Sequence, residues 1–67
     1  MHPMRMKRFL MGLSLDELKI RTGIDQGKLS RIERGYTTPN KKEMEHIANA
    51  FNCKIKDVFG GINNDES

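Results

Sequence analysis

Apolar residues return along this 67-residue chain at intervals of three and four, not two, so the pattern reads as helices throughout. Met6, Phe9, Leu10 and Leu13 stand at i, i+3, i+4 and i+7. This predicts a helix over residues 4–11 with that face in the core and Gly12 ending it. Leu15, Leu18 and Thr22 mark a second helix, opened by Ser14 and Glu17 in the spacing of a capping box and stopped at Gly23. Asp25 is the expected N-cap of a third helix that buries Leu29 and Ile32 and ends at Gly35. An extended loop, Y-T-T-P-N, follows, in which Pro39 pushes Thr38 out of the helical region. Asn40 and Glu43 then cap a helix over residues 41–51, with the cleanest stripe in the chain: Met44, Ile47, Ala48 and Phe51. Asn52 suits the left-handed stop of that helix. A short last helix over residues 55–59 presents Ile55, Val58 and Phe59, and Gly60 and Gly61 end it. Residues 1–3 read as a loose terminus and 60–67 as a flexible acidic tail. The expected fold is therefore all-α, five short helices in one compact domain over residues 4–59.

A chain this short buries only about 60% of its unfolded surface, which makes modest stability the expectation. Five methionines, four of them in the first eleven residues, read as adaptable core filling. The net charge of +3 says little, but its distribution says more. Between residues 19 and 42 stand Lys19, Arg21, Lys28, Arg31, Arg34, Lys41 and Lys42 against only Asp25 and Glu33. Beyond residue 42 the balance reverses, with Glu43, Glu45, Asp57, Asp65 and Glu66 against Lys54 and Lys56. One cationic region on an otherwise balanced chain fits a single face that meets a polyanion. The unit over residues 14–35 is helix, glycine turn, helix, and its second helix carries Gln26, Lys28, Arg31 and Arg34 on the polar side. That is the layout of a helix-turn-helix reader of DNA, with a recognition helix over residues 26–34.

Catalysis is not expected. The chain has no Ser/His/Asp set, paired-carboxylate motif or phosphate loop, and no cofactor or metal is implied. His2, His46 and Cys53 lack the spacing of a zinc site; His46 is expected on the solvent side of the fourth helix and Cys53 in the core. The lone cysteine gives no internal disulfide, and no apolar run approaches a membrane span or signal sequence, which makes the cytoplasm the expected location.

Across residues 4–59 the chain resembles the Xre/Cro-like helix-turn-helix family, which includes the lambda-type phage repressors. The resemblance is carried by R-x-x-x-G-L-S from Arg8 to Ser14, T-G-I from Thr22 to Ile24, and L-S-R-I-E-R-G from Leu29 to Gly35. I-A-N-A-F from Ile47 to Phe51 and D-V-F from Asp57 to Phe59 complete it. It implies a five-helix bundle whose third helix enters the major groove of operator DNA, commonly as a dimer, in a transcriptional regulator. It also implies a structural ion pair between Arg8 and Glu33. The chain departs from the family pattern at Leu15, where glutamine is usual, at Lys19, where a small alanine is usual, at Ile20, where a polar residue is expected, and at Lys54, where Ser or Thr caps the last helix.

On that reading the base-facing residues are Gln26, Gly27, Lys28 and Arg31: glutamine suits adenine, and arginine or lysine suits guanine O6 and N7. Gly27 brings no side chain and eases the helix start. Phosphate contacts are expected from Ser14 and Arg34, and from Tyr36, Thr37, Thr38, Asn40, Lys41 and Lys42 around the start of the fourth helix, where free N–H groups and the dipole attract anions. Ile55, Val58, Phe59 and Ile62 are candidate dimer contacts, with completion of the monomer core as the alternative for them. The competing function is an antitoxin-like or adaptor module on the same fold, meeting a protein through the region of Leu15 and Ile20. RNA binding ranks behind both, because aromatic residues for base stacking are scarce.

Overall fold

Polar side chains placed one residue outside the first turn decide where the helices of this protein begin. The computed structural model describes residues 2–60. Those residues form α1 (Pro3–Leu10), α2 (Leu15–Thr22), α3 (Gln26–Glu33), α4 (Lys41–Ala50) and α5 (Ile55–Phe59), with no strand among them. Ser14 Oγ accepts from the Glu17 N–H at 3.1 Å while Glu17 Oε1 accepts from the Ser14 N–H at 2.8 Å. Asn40 and Glu43 repeat this reciprocal box at α4 with 2.8 and 2.9 Å bonds. At α5 only half of such a box exists: Asp57 accepts from the Lys54 N–H at 3.0 Å, and the lysine side chain has nothing to accept with.

The first helix begins earlier than its apolar pattern indicates. His2 Nδ1 accepts from the Met4 N–H at 3.0 Å, and Pro3 takes the first helical position, where its missing N–H costs nothing. Pro3 is thus the first residue of α1 and His2 its N-cap, where the sequence suggests a loose terminus. Burial lowers the His2 pKa and keeps the imidazole neutral, the form able to accept this bond. The tail expected over residues 60–67 lies, apart from Gly60, outside the described residues, as do Met1 and Ile62.

Three helices end in the same hydrogen-bond pattern. After α1 the Gly12 and Leu13 N–H groups bond back to the Phe9 and Arg8 carbonyls, after α3 Gly35 and Tyr36 to Ile32 and Arg31, and after α4 Asn52 and Cys53 to Asn49 and Ala48. Between α2 and α3 the chain must turn within three residues. Gly23 supplies the left-handed conformation at φ 74°, and Thr22 closes the corner from inside. Its buried hydroxyl donates to the Leu18 carbonyl at 2.8 Å and accepts from the Ile24 N–H at 3.1 Å. The apolar pattern had used Thr22 only as a stripe position.

The core is Met4, Leu13, Leu18, Ile24, Leu29, Ile32, Met44, Ile47, Phe51, Val58 and Phe59. α2 packs against α3 and α4, α4 against α5, and α5 against α1. The expected inward face of α1 is wrong. Met4 and Arg8 point inward, while Met6, Phe9, Leu10 and Met11 are 48, 53, 79 and 43% exposed; of the expected stripe only Leu13 is buried. Core filling therefore applies to Met4 and Met44 but not to Met6 or Met11. The physical reason is Arg8. Its Nε donates to Glu33 Oε2 at 2.7 Å, Nη2 to Glu33 Oε1 at 3.2 Å, and Nη1 to the Leu13 carbonyl at 3.0 Å. A guanidinium with three partners beneath α3 fixes the rotation of α1, and the apolar stripe on the far side is left facing outward. Val58 and Phe59, expected as dimer contacts, are core residues of the monomer instead, because the α1–α5 contact encloses them. Ile55 is half-buried against the same core. Cys53 sits at the edge of the core, where burial raises its thiol pKa. Lys19 is exposed, so α2 and α3 pack without enclosing its ammonium.

Two outcomes are expected. Truncating one partner of the Arg8–Glu33 pair leaves the other charge buried, so Glu33→Ala loses about 3–5 kcal/mol in urea unfolding, whereas Arg8→Met with Glu33→Leu recovers much of it. A loss below about 1 kcal/mol in the single variant would show the pair to be dispensable. The second concerns acid. The Ser14 N–H and then its hydroxyl hold the Glu17 carboxyl below the usual glutamate range, and the Lys28 ammonium and then the Asn40 N–H do the same for Glu43. A depressed folded pKa means stability present above the unfolded value of about 4.3 and lost as pH falls through the lower folded value. Melting temperature should therefore drop below about pH 4.5, and less so when Glu17 and Glu43 are both glutamine; parallel curves for the two proteins would exclude the caps as the cause.

Candidate nucleic-acid interface

The third helix, α3, is anchored from below and at its start. Leu29, Ile32 and Glu33 are its buried face, and Asp25 Oδ2 accepts from the Gly27 N–H at 2.9 Å to begin it. What remains outward is polar: Gln26, Gly27, Arg31 and Arg34 are exposed, and Ser30 is half-buried. Gly27 does more than ease the helix start. A Cβ there would stand 3.0 Å from Asp25 Oδ2 and 3.5 Å from Arg31 Nη1. The missing side chain leaves the space in which Asp25 caps the helix and the Arg31 guanidinium lies back along the first turn. Arg31 thereby shares the N-terminal end of α3 with Gln26.

Lys28 is placed differently from its neighbours. Its Nζ donates to Glu43 Oε2 at 2.7 Å, so the ammonium is turned toward the start of α4 and away from a free position on the outward face. The contact spans 15 residues of sequence, and no local periodicity signals it. It links α3 to the first turn of α4 through two long side chains, although the two helices are not a packed pair.

At the start of α4 the capping box occupies the Asn40 and Glu43 N–H groups, and no hydrogen bond among the described residues engages those of Lys41 and Lys42. Two open donors, the positive end of the helix dipole and two exposed ammonium groups meet there, a suitable seat for a phosphate. The loop leading in exposes Tyr36 (73%) and Thr38, half-buries Thr37 and buries Pro39. Arg34, at the end of α3, is exposed and makes no ion pair among the described residues. Ser14 stands at the start of α2 with its hydroxyl committed to the Glu17 N–H, and no described contact joins it to this group.

The electrostatics follow from where the acids go. Glu33 is under α3 with Arg8, and Glu43 is matched by Lys28, which leaves Arg31, Arg34, Lys41 and Lys42 as exposed cations without an ion-pair partner among the described residues. Exposed carboxylates remain at Asp25, which is used as a cap, and at Glu45, four residues after Lys41 on α4. On α2, Leu15 is half-buried against the core and Ile20 is 75% exposed.

No helix among the described residues is long and apolar enough to cross a membrane. A helix-turn-helix family model matches residues 4–58, which takes in α2, α3 and α4 whole, α1 but for Pro3, and α5 but for Phe59. Neither the curated proteins nor the solved structures contain a significant match. A capped helix, a glycine corner and a second helix with a cationic outward face, found within a family match over most of the chain, establish that the protein belongs to the Xre/lambda-repressor-like helix-turn-helix family of DNA-binding transcription regulators.

Proposed function

We propose that the protein is a sequence-specific regulator, a repressor or autoregulator, that reads the major groove of double-stranded DNA with α3 as a dimer on a palindromic operator in the cytoplasm. The observation that supports it most is the Lys28–Glu43 contact, which links α3, where Gln26 and Arg31 are exposed, to the open first turn of α4 with Lys41 and Lys42. Donors for base edges and donors for phosphates thus stand on two helices joined by that contact. Gln26 and Arg31 read bases; Gly27 permits close approach, and Lys28 contributes where it leaves Glu43. Arg34, Tyr36, Thr37, Thr38, Asn40, Lys41 and Lys42 hold the backbone, with Ser14 at a second helix start.

A dimer needs an apolar surface; with Val58 and Phe59 buried, the exposed apolar side chains of α1 support a contact there. Met6, Phe9, Leu10 and Met11 form an outward face that a second copy can meet with the same face, as a two-fold contact requires. The Arg5 guanidinium lies 5.5 Å from the centre of its own Phe9 ring, so its charge is held against that ring and is less available to repel the opposite copy. The adaptor reading rests on the same exposed residues together with Ile20.

Selection of bound duplexes from a random pool, then gel shifts over a salt series, separates these readings, since an adaptor gives neither a preferred site nor salt dependence. Arg31→Ala should relax the preference at one position by about 1–3 kcal/mol, whereas Lys42→Ala should weaken all sequences alike and flatten the salt slope by about one. Equal, sequence-blind losses from both would contradict the division between base and phosphate contacts. For the dimer, Leu10→Asp should sediment as a folded monomer at concentrations where the parent is dimeric. An unchanged dimer would place the interface elsewhere.

A further inference from the structure

Glu43 uses its two oxygens for two different elements. Oε1 accepts from the Asn40 N–H at 2.9 Å and so caps α4, while Oε2 accepts from Lys28 Nζ at 2.7 Å and so restrains a residue of the recognition helix. Held this way, Lys28 is neutralised at the very end of the molecule where the exposed cations gather. We propose that Glu43 determines sequence selectivity without touching a base: it holds Lys28 back, so that Lys28 joins the DNA contact only where a guanine edge competes for it. The proposal rests on the reading of this face as a DNA interface.

The competition follows from the strengths involved. The pair is partly solvated, with side-chain exposures of 35% for Lys28 and 19% for Glu43, and such pairs are weak. A lysine aligned on guanine O6 and N7 gains more than that, and gains it in a sequence-dependent way. Drawing Lys28 off Glu43 strands a carboxylate beside the phosphates, on any sequence. Only a site with a correctly placed guanine returns a directional contact for that loss, so Glu43 lowers binding to arbitrary DNA more than binding to the operator.

Glu43→Gln tests this, because the amide oxygen can still accept from the Asn40 N–H while the charge on Lys28 is released. Wild type, Glu43→Gln, Lys28→Gln and the double variant are titrated by anisotropy against a random-sequence duplex and a duplex selected by the wild type, between about 50 and about 200 mM salt. Glu43→Gln should bind random duplex about two- to fivefold more tightly, with a log–log salt slope steeper by about 0.9, and lose selectivity for the chosen duplex. Both gains should vanish in the double variant, which carries the same net charge as wild type, and Lys28→Gln alone, which strands the Glu43 carboxylate, should weaken random binding and lower the preference for the selected duplex. The proposal is overturned if Glu43→Gln matches wild type, if its gain survives in the double variant, or if Lys28→Gln alone keeps the full preference for the selected duplex, which would mean that Lys28 reads no base. That last measurement decides the matter even where Glu43→Gln unfolds. Wild-type protein that binds neither duplex ends both this proposal and the DNA reading; wild-type binding with indifferent variants ends this one alone.

Discussion

The buried pair between Arg8 and Glu33 is the constraint on which the arrangement of the helices depends. α1 packs on α5, α5 on α4, α4 on α2 and α2 on α3, so α1 and α3 stand at the two ends of that series. Arg8 closes that gap with two bonds to Glu33 and a third to the Leu13 carbonyl in the α1–α2 corner. A guanidinium satisfied this fully tolerates burial; one with a missing partner does not. The rotation of α1 and the underside of α3 are therefore set together. Once Glu33 is fixed inward, helical geometry puts Arg31 on the opposite side of α3 and Arg34 on its flank, while Gln26, seven residues before Glu33, is exposed because it begins the helix.

The same pairing removes an acid from the cationic face. A second acid, Glu43, is handled in another way: it stays near the surface and is matched by Lys28 while it caps α4. The face therefore has a strong positive character although its sequence neighbourhood contains carboxylates. Direction matters as much as charge here. Arg31 lies back over the bare Cα of Gly27, and Lys28 leans toward α4, so two cations three residues apart on one helix point to different places.

The outward face of α1 is the other consequence of the Arg8 anchor. A helix turned so that Met4 and Arg8 point inward leaves Met6, Phe9 and Leu10 outward beside the exposed Arg5, with Met11 at its C-cap. Phe9 is braced there by guanidinium groups at 5.2 and 5.5 Å.

The parts of this protein that could be read along the chain are those decided within about four residues. The Ser14–Glu17 and Asn40–Glu43 boxes, the Gly23 corner, the Asp25 cap and the Met44–Ile47–Ala48–Phe51 stripe are local hydrogen bonds and local periodicity, and the folded chain keeps all of them. The family motifs likewise imply five helices, which the folded chain has among its described residues. What periodicity misread is what depends on residues far apart in sequence. The stripe in α1 looks like a core face until Arg8 finds Glu33 25 residues away, and Lys28 looks like a free cation until Glu43 arrives 15 residues later. Val58 and Phe59 look available until α1 covers them. Hydrophobic pattern records how much of a helix is apolar and on which side. Which side turns inward is settled by the competition between burying that side and satisfying a charge, and only the assembled helices bring the two terms together.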